Sequence, residues 1–411
     1  MLRLDRIAIW IFIIAFALMI PSYTFLGYTD EIAAFLLVSI ALADAWANGN
    51  WSRYTLLWIC FAVMAFYAIY SVTAVDYNTP AAILGDSVIQ IKSLAALAVM
   101  IGLKPRFEEK DCFILQWIAL VNALAAIAIS AMPAPVIRSA IVHPANCGVC
   151  VFFSAMVLFL ARCRIEGGIT TVSKVIVVAL LTGGLLCGRA RYYGEYILAL
   201  FMLLAFRPAM SRYFKVRYLL TYACVVGLIV AAGWSKISYY FLGGNIGSFD
   251  PELLESFARP VLYATGALIM ATHIPFGSGL ASFASYKSSE PYSSLYNEFG
   301  IDRIYGLSEE YPSFICDAYY PSLAQFGLVG VALFIALIIY MARRLVRLDK
   351  ERFYPSFIVG MICLGFLLIE SIANSSFVKP EGVMALSLIG IICGYASPAA
   401  KHVKKNLIIY V

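Results

Sequence analysis

Residues 319–347, YYPSLAQFGLVGVALFIALIIYMARRLVR, decide the fold class. From Tyr319 to Met341 there is no charged side chain, and Arg343, Arg344 and Arg347 follow at once. At 1.5 Å per residue a helix needs about 20 apolar residues to cross ~30 Å of hydrocarbon. The arginines behind the run mark the face at which it ends, because Lys and Arg are retained on the cytoplasmic side.

Working outward, the same pattern recurs from end to end. Apolar windows fall near residues 7–25, 32–47, 54–74, 82–103, 112–132, 145–162, 171–187, 191–206, 217–234, 319–341, 354–374 and 382–398. Composition agrees: 62% of the residues are hydrophobic and 13% charged, with a mean hydropathy of +0.86. A soluble domain carries roughly 25% charged residues. The expected fold is an all-α polytopic membrane protein of about twelve spanning helices, a single integral membrane domain over residues 1–411. The first window follows Arg3 and Arg6 and has no small-residue cleavage site after it, so it is expected to be a retained helix.

Charge supplies an independent test of the windows. With the N-terminus inside, the cytoplasmic segments 1–6, 48–53, 104–110, 162–174, 207–217, 343–352 and 401–405 hold 21 of the 30 basic residues. Dropping any one helix would break the alternation downstream. Both termini are then expected in the cytoplasm. The nine exceptions are Lys92, Arg138, Arg189, Arg191, Lys236, Arg259, Lys287, Arg303 and Lys379. The net charge of +6 is dispersed over short loops, which argues against a nucleic-acid partner.

One outer segment, residues 235–318, is much longer than the rest, with nine acidic and four basic residues. Its stretch 252–273 places Leu253, Leu254, Phe257, Val261, Leu262 and Leu268 at the spacing of an amphipathic helix, lying on the membrane or packed under the loop. His273-Ile274-Pro275 is its expected stop.

Four constellations can carry chemistry. In GRARYYGEY (188–196), Arg189 and Arg191 sit at an outer helix junction and Glu195 lies one turn into the membrane. They are either an Arg–Glu stitch between helices or an anion site, because guanidinium binds phosphate through a planar fork and stays charged at low dielectric. Arg259, sixteen residues before PFGSGLASF (275–283), is either a solvated loop arginine or a second phosphate ligand. Asp317, in CDAYYPSLAQFGLVG (316–330), is either a helix cap or a general base for a hydroxyl. Lys92, six residues after Asp86, either snorkels or pairs with it, or adds positive charge to the same anion site. His143 and His273 stand alone among apolar and aromatic neighbours. Cys147 and Cys150 form a C-x-x-C without a second pair, expected to be helix-face packing. No Ser-His-Asp, Walker A or zinc pattern is present, and no metal or cofactor is expected.

Taken in order, these pieces resemble the O-antigen ligase/polymerase superfamily of bacterial surface-polysaccharide enzymes. The points of likeness are Gly188-Arg189-Ala190-Arg191 before a large outer loop, Arg259 ahead of Pro275, Gly277 and Gly279, and a closing motif running into Gly327 and Gly330. The resemblance covers roughly residues 140–345. Ligases begin the closing motif with a His–Asn pair at the offset where this chain has Cys316 and Asp317. That departure favours the polymerase branch, of O-antigen, capsular or exopolysaccharide type.

The resemblance implies a GT-C-like, metal-independent glycosyltransferase in the bacterial inner membrane. Its substrates would be undecaprenyl pyrophosphate-linked glycans, donor and acceptor, with membrane lipid around it and a chain-length regulator as a further partner. In that frame Arg191, Arg189 and Arg259 are the expected pyrophosphate ligands and Asp317 the base, with Glu309 and Glu310 in reserve. Lys92 and Glu195 would support the site, and Tyr192, Tyr193, Tyr319 and Tyr320 would stack on sugars, line a lipid groove or serve as core. A ligase acting on lipid A core or protein, and a polysaccharide flippase, are the alternatives.

Overall fold

The computed structural model describes residues 2–207, 216–241, 257–348, 353–395 and 408–409. Arg212, Lys215, Lys350, Arg352, Lys401, Lys404 and Lys405, counted above as cytoplasmic, lie outside the described residues, as do residues 252–256 of the amphipathic stretch.

Each apolar window overlaps a helix. They are α1 (Leu4–Ala17), α2 (Thr29–Asn48), α3 (Thr55–Tyr70, continued to Val75), α4 (Pro80–Leu103) and α5 (Glu109–Ser130). After the short α6 (Ala134–Ile141) come α7 (Pro144–Ile165), α8 (Thr171–Gly183, tightening to Cys187), α9 (Ala190–Leu200, continued to Ala205) and α10 (Val216–Phe241). The long loop that follows carries α11 (Ala258–Thr272), α12 (Tyr286–Ser289) and α13 (Leu295–Glu298). A 3-10 turn, Tyr320–Phe326, leads into α14 (Gly327–Val346), followed by α15 (Tyr354–Glu370) and α16 (Pro380–Tyr395). Apart from these, Leu2–Arg3 pairs with Ile408–Ile409 as a two-residue ladder.

Six of the helical segments are long and apolar enough to cross a membrane: Trp51–Val75, Pro80–Leu103, Glu109–Ser130, Pro144–Ile165, Val216–Ser235 and Tyr320–Val346. Their surroundings agree. Val216–Ser235 has none of its apolar window buried, and Phe35, Trp46, Leu84 and Val121 also face outward at more than 60% exposure. A soluble monomer rarely exposes an apolar patch beyond a few hundred Å2. An outward-facing coat of this kind is at its free-energy minimum in lipid, so the chain is a membrane-embedded helical protein.

The helix ends follow local chemistry. Thr79 accepts from Ala82 N ahead of Pro80, and Glu108 and Asp111 form a reciprocal capping box. Asp111 also takes both arms of Arg6 at 2.6 Å, tying α1 to α5. The central element is α7, apolar all round and almost wholly buried, with Phe152, Phe153 and Phe159 inaccessible. Cys147 and Cys150 are buried on this helix, in the packing role expected of them.

The long loop differs from expectation at its start, because α10 runs on to Phe241 and the segment leaves the helix later than residue 235. Its described residues 257–318 build a second small core from Leu262, Ile269, Phe283, Leu295, Tyr296 and Ile315. Helix α11 therefore packs under the loop. It stops at Thr272, with His273 as its cap, where Ile274-Pro275 was expected to end it. Leu268 remains outside that core and is half exposed.

Two glycine motifs, distant in sequence, hold the loop to the helix bundle. Gly277 (φ +79°) and Gly327 (φ +60°) meet backbone to backbone. A Cβ on Gly277 would lie 2.2 Å from Ala324 O, and one on Gly327 would lie 2.3 Å from Gly277 N. The close approach lets Ser278 N donate to Ala324 O (3.2 Å), Gly279 N to Gln325 O (2.9 Å) and Val329 N to Pro275 O (3.2 Å). From α3, Tyr67 Oη donates to Phe326 O at 2.7 Å and Tyr70 Oη to Gly277 O at 2.9 Å.

Candidate functional site

The site begins at Gly188. Its left-handed backbone (φ +64°) reverses the chain after Cys187, so that Arg189 becomes the extended N-cap of α9 and Arg191 lies in the first helical turn. Arg191 reaches the end of α15, where its Nε pairs with Glu370 Oε2 at 3.0 Å and its Nη1 donates to Ala373 O at 2.6 Å. Glu195, one turn further along α9, is 1% exposed, and its Oε1 has no hydrogen-bond partner among the described residues. Arg189 makes no ion pair among the described residues.

Arg259, in the first turn of α11, pairs with Asp317 across 58 residues of loop. Asp317 is not a cap, since the turn that begins at Tyr320 has no side-chain cap. Burial raises the Asp317 carboxyl above its ordinary pKa, and Arg259, Lys379 and Arg191 pull it back down. Lys379 donates to Asn374 Oδ1, while Asn374 Nδ2 is held by Glu370 Oε1 (3.2 Å) and Glu381 Oε1 (2.9 Å).

These side chains line one cavity of about 630 Å3. Arg189, Arg191, Arg259 and Lys379 face it together with Asp317, His143, Asn146 and Asn374; Ile229, Val230 and Ile237 of α10 and Ile369 and Ile372 make its apolar walls. His143 caps α7, its Nδ1 accepting from Ala145 N at 3.2 Å, so the neutral ring carries its proton on Nε2. The enclosing protein lowers its pKa to about 4, and Arg189, Arg191 and Lys379 add to the shift. With Arg191 paired to Glu370 and Arg259 to Asp317, Arg189 and Lys379 carry the remaining positive charge of the lining, beside a hydrogen-donating imidazole, an arrangement chemically suited to an anion. The apolar walls suit an attached hydrocarbon chain.

The structure thus brings Arg189, Arg191, Arg259 and Asp317 together. Others fall elsewhere. Lys92 is not paired with Asp86 and does not join this cavity. It pairs with Asp30 at 2.5 Å and with Glu31, and lines a second cavity, because α4 packs beside the start of α2. Asp86 instead accepts from Ala281 N at 2.8 Å. Tyr192 is core: its ring packs beside Phe152 and its Oη donates to Leu181 O at 2.7 Å, over Gly148 and Gly184. Tyr320 donates to Leu368 O at 2.7 Å and packs beside Tyr319 and Phe334, away from the cavity lining. Glu309 and Glu310 are exposed on the loop and do not line the cavity. Glu195 is buried and lines neither of the two cavities described.

Glu370, Asn374, Lys379 and His143 belong to the site without having been singled out for it. Two signals were available. Glu370 is a lone acid in an apolar run, where an ionisable group is costly unless partnered. Lys379 was already among the nine basic residues that the positive-inside assignment left unexplained.

Searches against protein-family models, curated proteins and solved structures return no match for this chain.

Proposed function

We propose that the chain is a glycosyltransferase that joins undecaprenyl pyrophosphate-linked oligosaccharide repeat units at the outer face of the bacterial inner membrane. The observation that carries this reading is the convergence of Arg189, Arg191, Arg259, Lys379 and Asp317, from four separate stretches of sequence, on one cavity with apolar walls. Both termini would then be cytoplasmic, and the helices at all twelve apolar windows would cross the bilayer in a GT-C-like arrangement.

In the reaction the acceptor hydroxyl oxygen attacks the anomeric carbon of the donor glycan. The bond from that carbon to the pyrophosphate oxygen breaks, and its electron pair leaves with the lipid pyrophosphate. The hydroxyl proton passes to Asp317. Charge grows on the pyrophosphate as the bond breaks, so fixed cations stabilise the transition state more than the ground state. Arg189 is the cation most available to the anion, since Arg191 is engaged by Glu370 and Arg259 by Asp317. The Arg259–Asp317 pair gives the step an order. An arriving pyrophosphate competes for Arg259, and the released carboxylate is then a stronger base, with a cation removed from its side.

The test is glycan chain growth by purified protein in detergent, without a membrane gradient, from lipid-linked repeat units. A ladder of lengthening products is expected. Failure to extend, with a deletion strain that accumulates bare lipid A core in place of core plus one repeat unit, would point to ligation instead.

A further inference from the structure

The second cavity, of about 1150 Å3, lies against the first. Lys379 lines both, and the neighbours Cys316 and Asp317 face one cavity each. Ser375, on the second cavity, donates to Cys316 O at 2.8 Å and ties the dividing wall together. The two chambers are therefore separated by about one residue's thickness at the carboxylate already assigned as base.

The chemistry of the second chamber is different. Lys92, Lys287 and Lys379 all line it; Lys92 is clamped by Asp30 and Glu31, and Lys379 donates to Asn374 Oδ1. Asp30 is 4% exposed and hydrogen-bonds to Glu31 beside its ion pair with Lys92, while Thr24 Oγ1, a hydroxyl that can donate or accept, has no hydrogen-bond partner among the described residues. A buried hydroxyl left unpaired is destabilising unless a ligand or water pairs with it. The rim carries exposed aromatics: Phe25 at 83%, Tyr28 at 78% and Tyr286 at 56%. Carboxylates, lysines and an unpaired hydroxyl beside exposed aromatic side chains match a polyhydroxylated ligand, whose hydroxyls donate and accept and whose C–H faces stack.

We infer that this second cavity is a saccharide-binding site, and that it holds the acceptor glycan with its reactive hydroxyl directed through the Cys316–Asp317 wall. The second clause rests on the glycosyltransferase reading; the first does not.

The probe is the oligosaccharide released by mild acid from the source strain's surface polysaccharide, free of lipid, followed by saturation-transfer NMR on the full-length protein in detergent. Val88 lies on the cavity and is half exposed, so Val88→Trp fills space without emptying the core. Saturation transfer is expected with the wild type, at least tenfold weaker with Val88→Trp and with Asp30→Asn, and unchanged with Arg189→Ala. Transfer that survives both cavity substitutions, or that disappears with Arg189→Ala alone, places the sugar in the first cavity and overturns the site, as does no transfer to the wild type. Sugar binding that obeys this pattern in a protein that never extends a chain leaves the saccharide site standing and removes the polymerase reading.

Discussion

Arg259 and Asp317, one at the start of a helix inside the outer loop and the other at the loop's end, form an ion pair on the wall of the cationic cavity. They had been expected in separate roles, phosphate ligand and base. Their pairing means that altering either one changes the electrostatic surroundings of the other. Arg259→Lys is expected to keep the charge but lose the forked contact, with a fall in kcat of about 10²–10³, the usual cost of one oxyanion-type donor. Asp317→Asn is expected to abolish chain growth while leaving the binding of inorganic pyrophosphate equal or tighter, because a competitor for Arg259 has gone. Full-length polymer from the Asp317→Asn protein would place the base elsewhere.

The same pair sets a pH dependence. Burial raises the Asp317 pKa, and the base acts only when ionised. Activity therefore falls as pH drops through that value, and the acid limb should lie above the ordinary carboxylate value of about 3.9. Arg259→Ala removes a cation that lowers the pKa, so the limb of any residual activity should move to higher pH. A pH profile of kcat/KM for both proteins measures this; a shift to lower pH would contradict the arrangement.

His143 provides a separate reporter. Its pKa of about 4 depends in part on the repulsion of Arg189, Arg191 and Lys379. A polyanion that screens those cations should raise it. The chain has 3 histidines, so ring-labelled NMR titration can follow His143 with and without inorganic pyrophosphate. The expected result is an upward shift on binding, lost in Arg189→Ala. No stability is tied to the ring above pH 6.5, where it is neutral whether folded or not. Between about 4 and 6.5 the unfolded chain binds the extra proton, so this contribution to stability falls as the pH is lowered.

At the buried end of the cavity, Arg191 and Glu370 form a pair with Glu370 1% exposed. Glu370→Ala strands the guanidinium and should cost about 3–5 kcal/mol, read as a lowered midpoint of thermal unfolding in detergent. Glu195→Gln should do the opposite or nothing, since it removes a second carboxylate from the same confined space. A large loss of stability from Glu195→Gln would mean that Glu195 is the principal partner.

The glycine clamp can be tested on stability alone. Gly277→Ala combines a positive φ with a Cβ 2.2 Å from Ala324 O, and is expected to destabilise by at least ~1–3 kcal/mol. Gly227→Ala is the control, since nothing lies within 4 Å of its Cβ and it sits in α10. There the helix should gain about 0.5–1 kcal/mol. Equal midpoints for the two variants would remove the clamp from the account.

Much of the helical frame was legible in the sequence. A bilayer demands long uncharged runs, so composition by itself marks where helices lie, and the twelve windows meet helices with ends displaced by a few residues. The largest displacements are at α10, which continues past Ser235 to Phe241, and at α1, which ends at Ala17 shortly before Pro21. The arginines of the site were legible too, as three of the nine basic residues that the positive-inside assignment left unexplained.

What the residues alone determined, then, was a membrane-embedded helical chain with a long loop between two late helices and a few misplaced cations. Which groups those cations meet was decided by tertiary structure. Arg191 finds Glu370, Arg259 finds Asp317, and Lys92 turns away to Asp30 and Glu31. The physical reason is that hydropathy and periodicity are local properties of a segment, whereas the partner of a charge depends on which helices become neighbours. In a chain whose helices are apolar nearly all round, the pattern along one helix does not say which face meets which. The contacts at Gly277 and Gly327, and those around α7, settle that choice, and the two cavities follow from it.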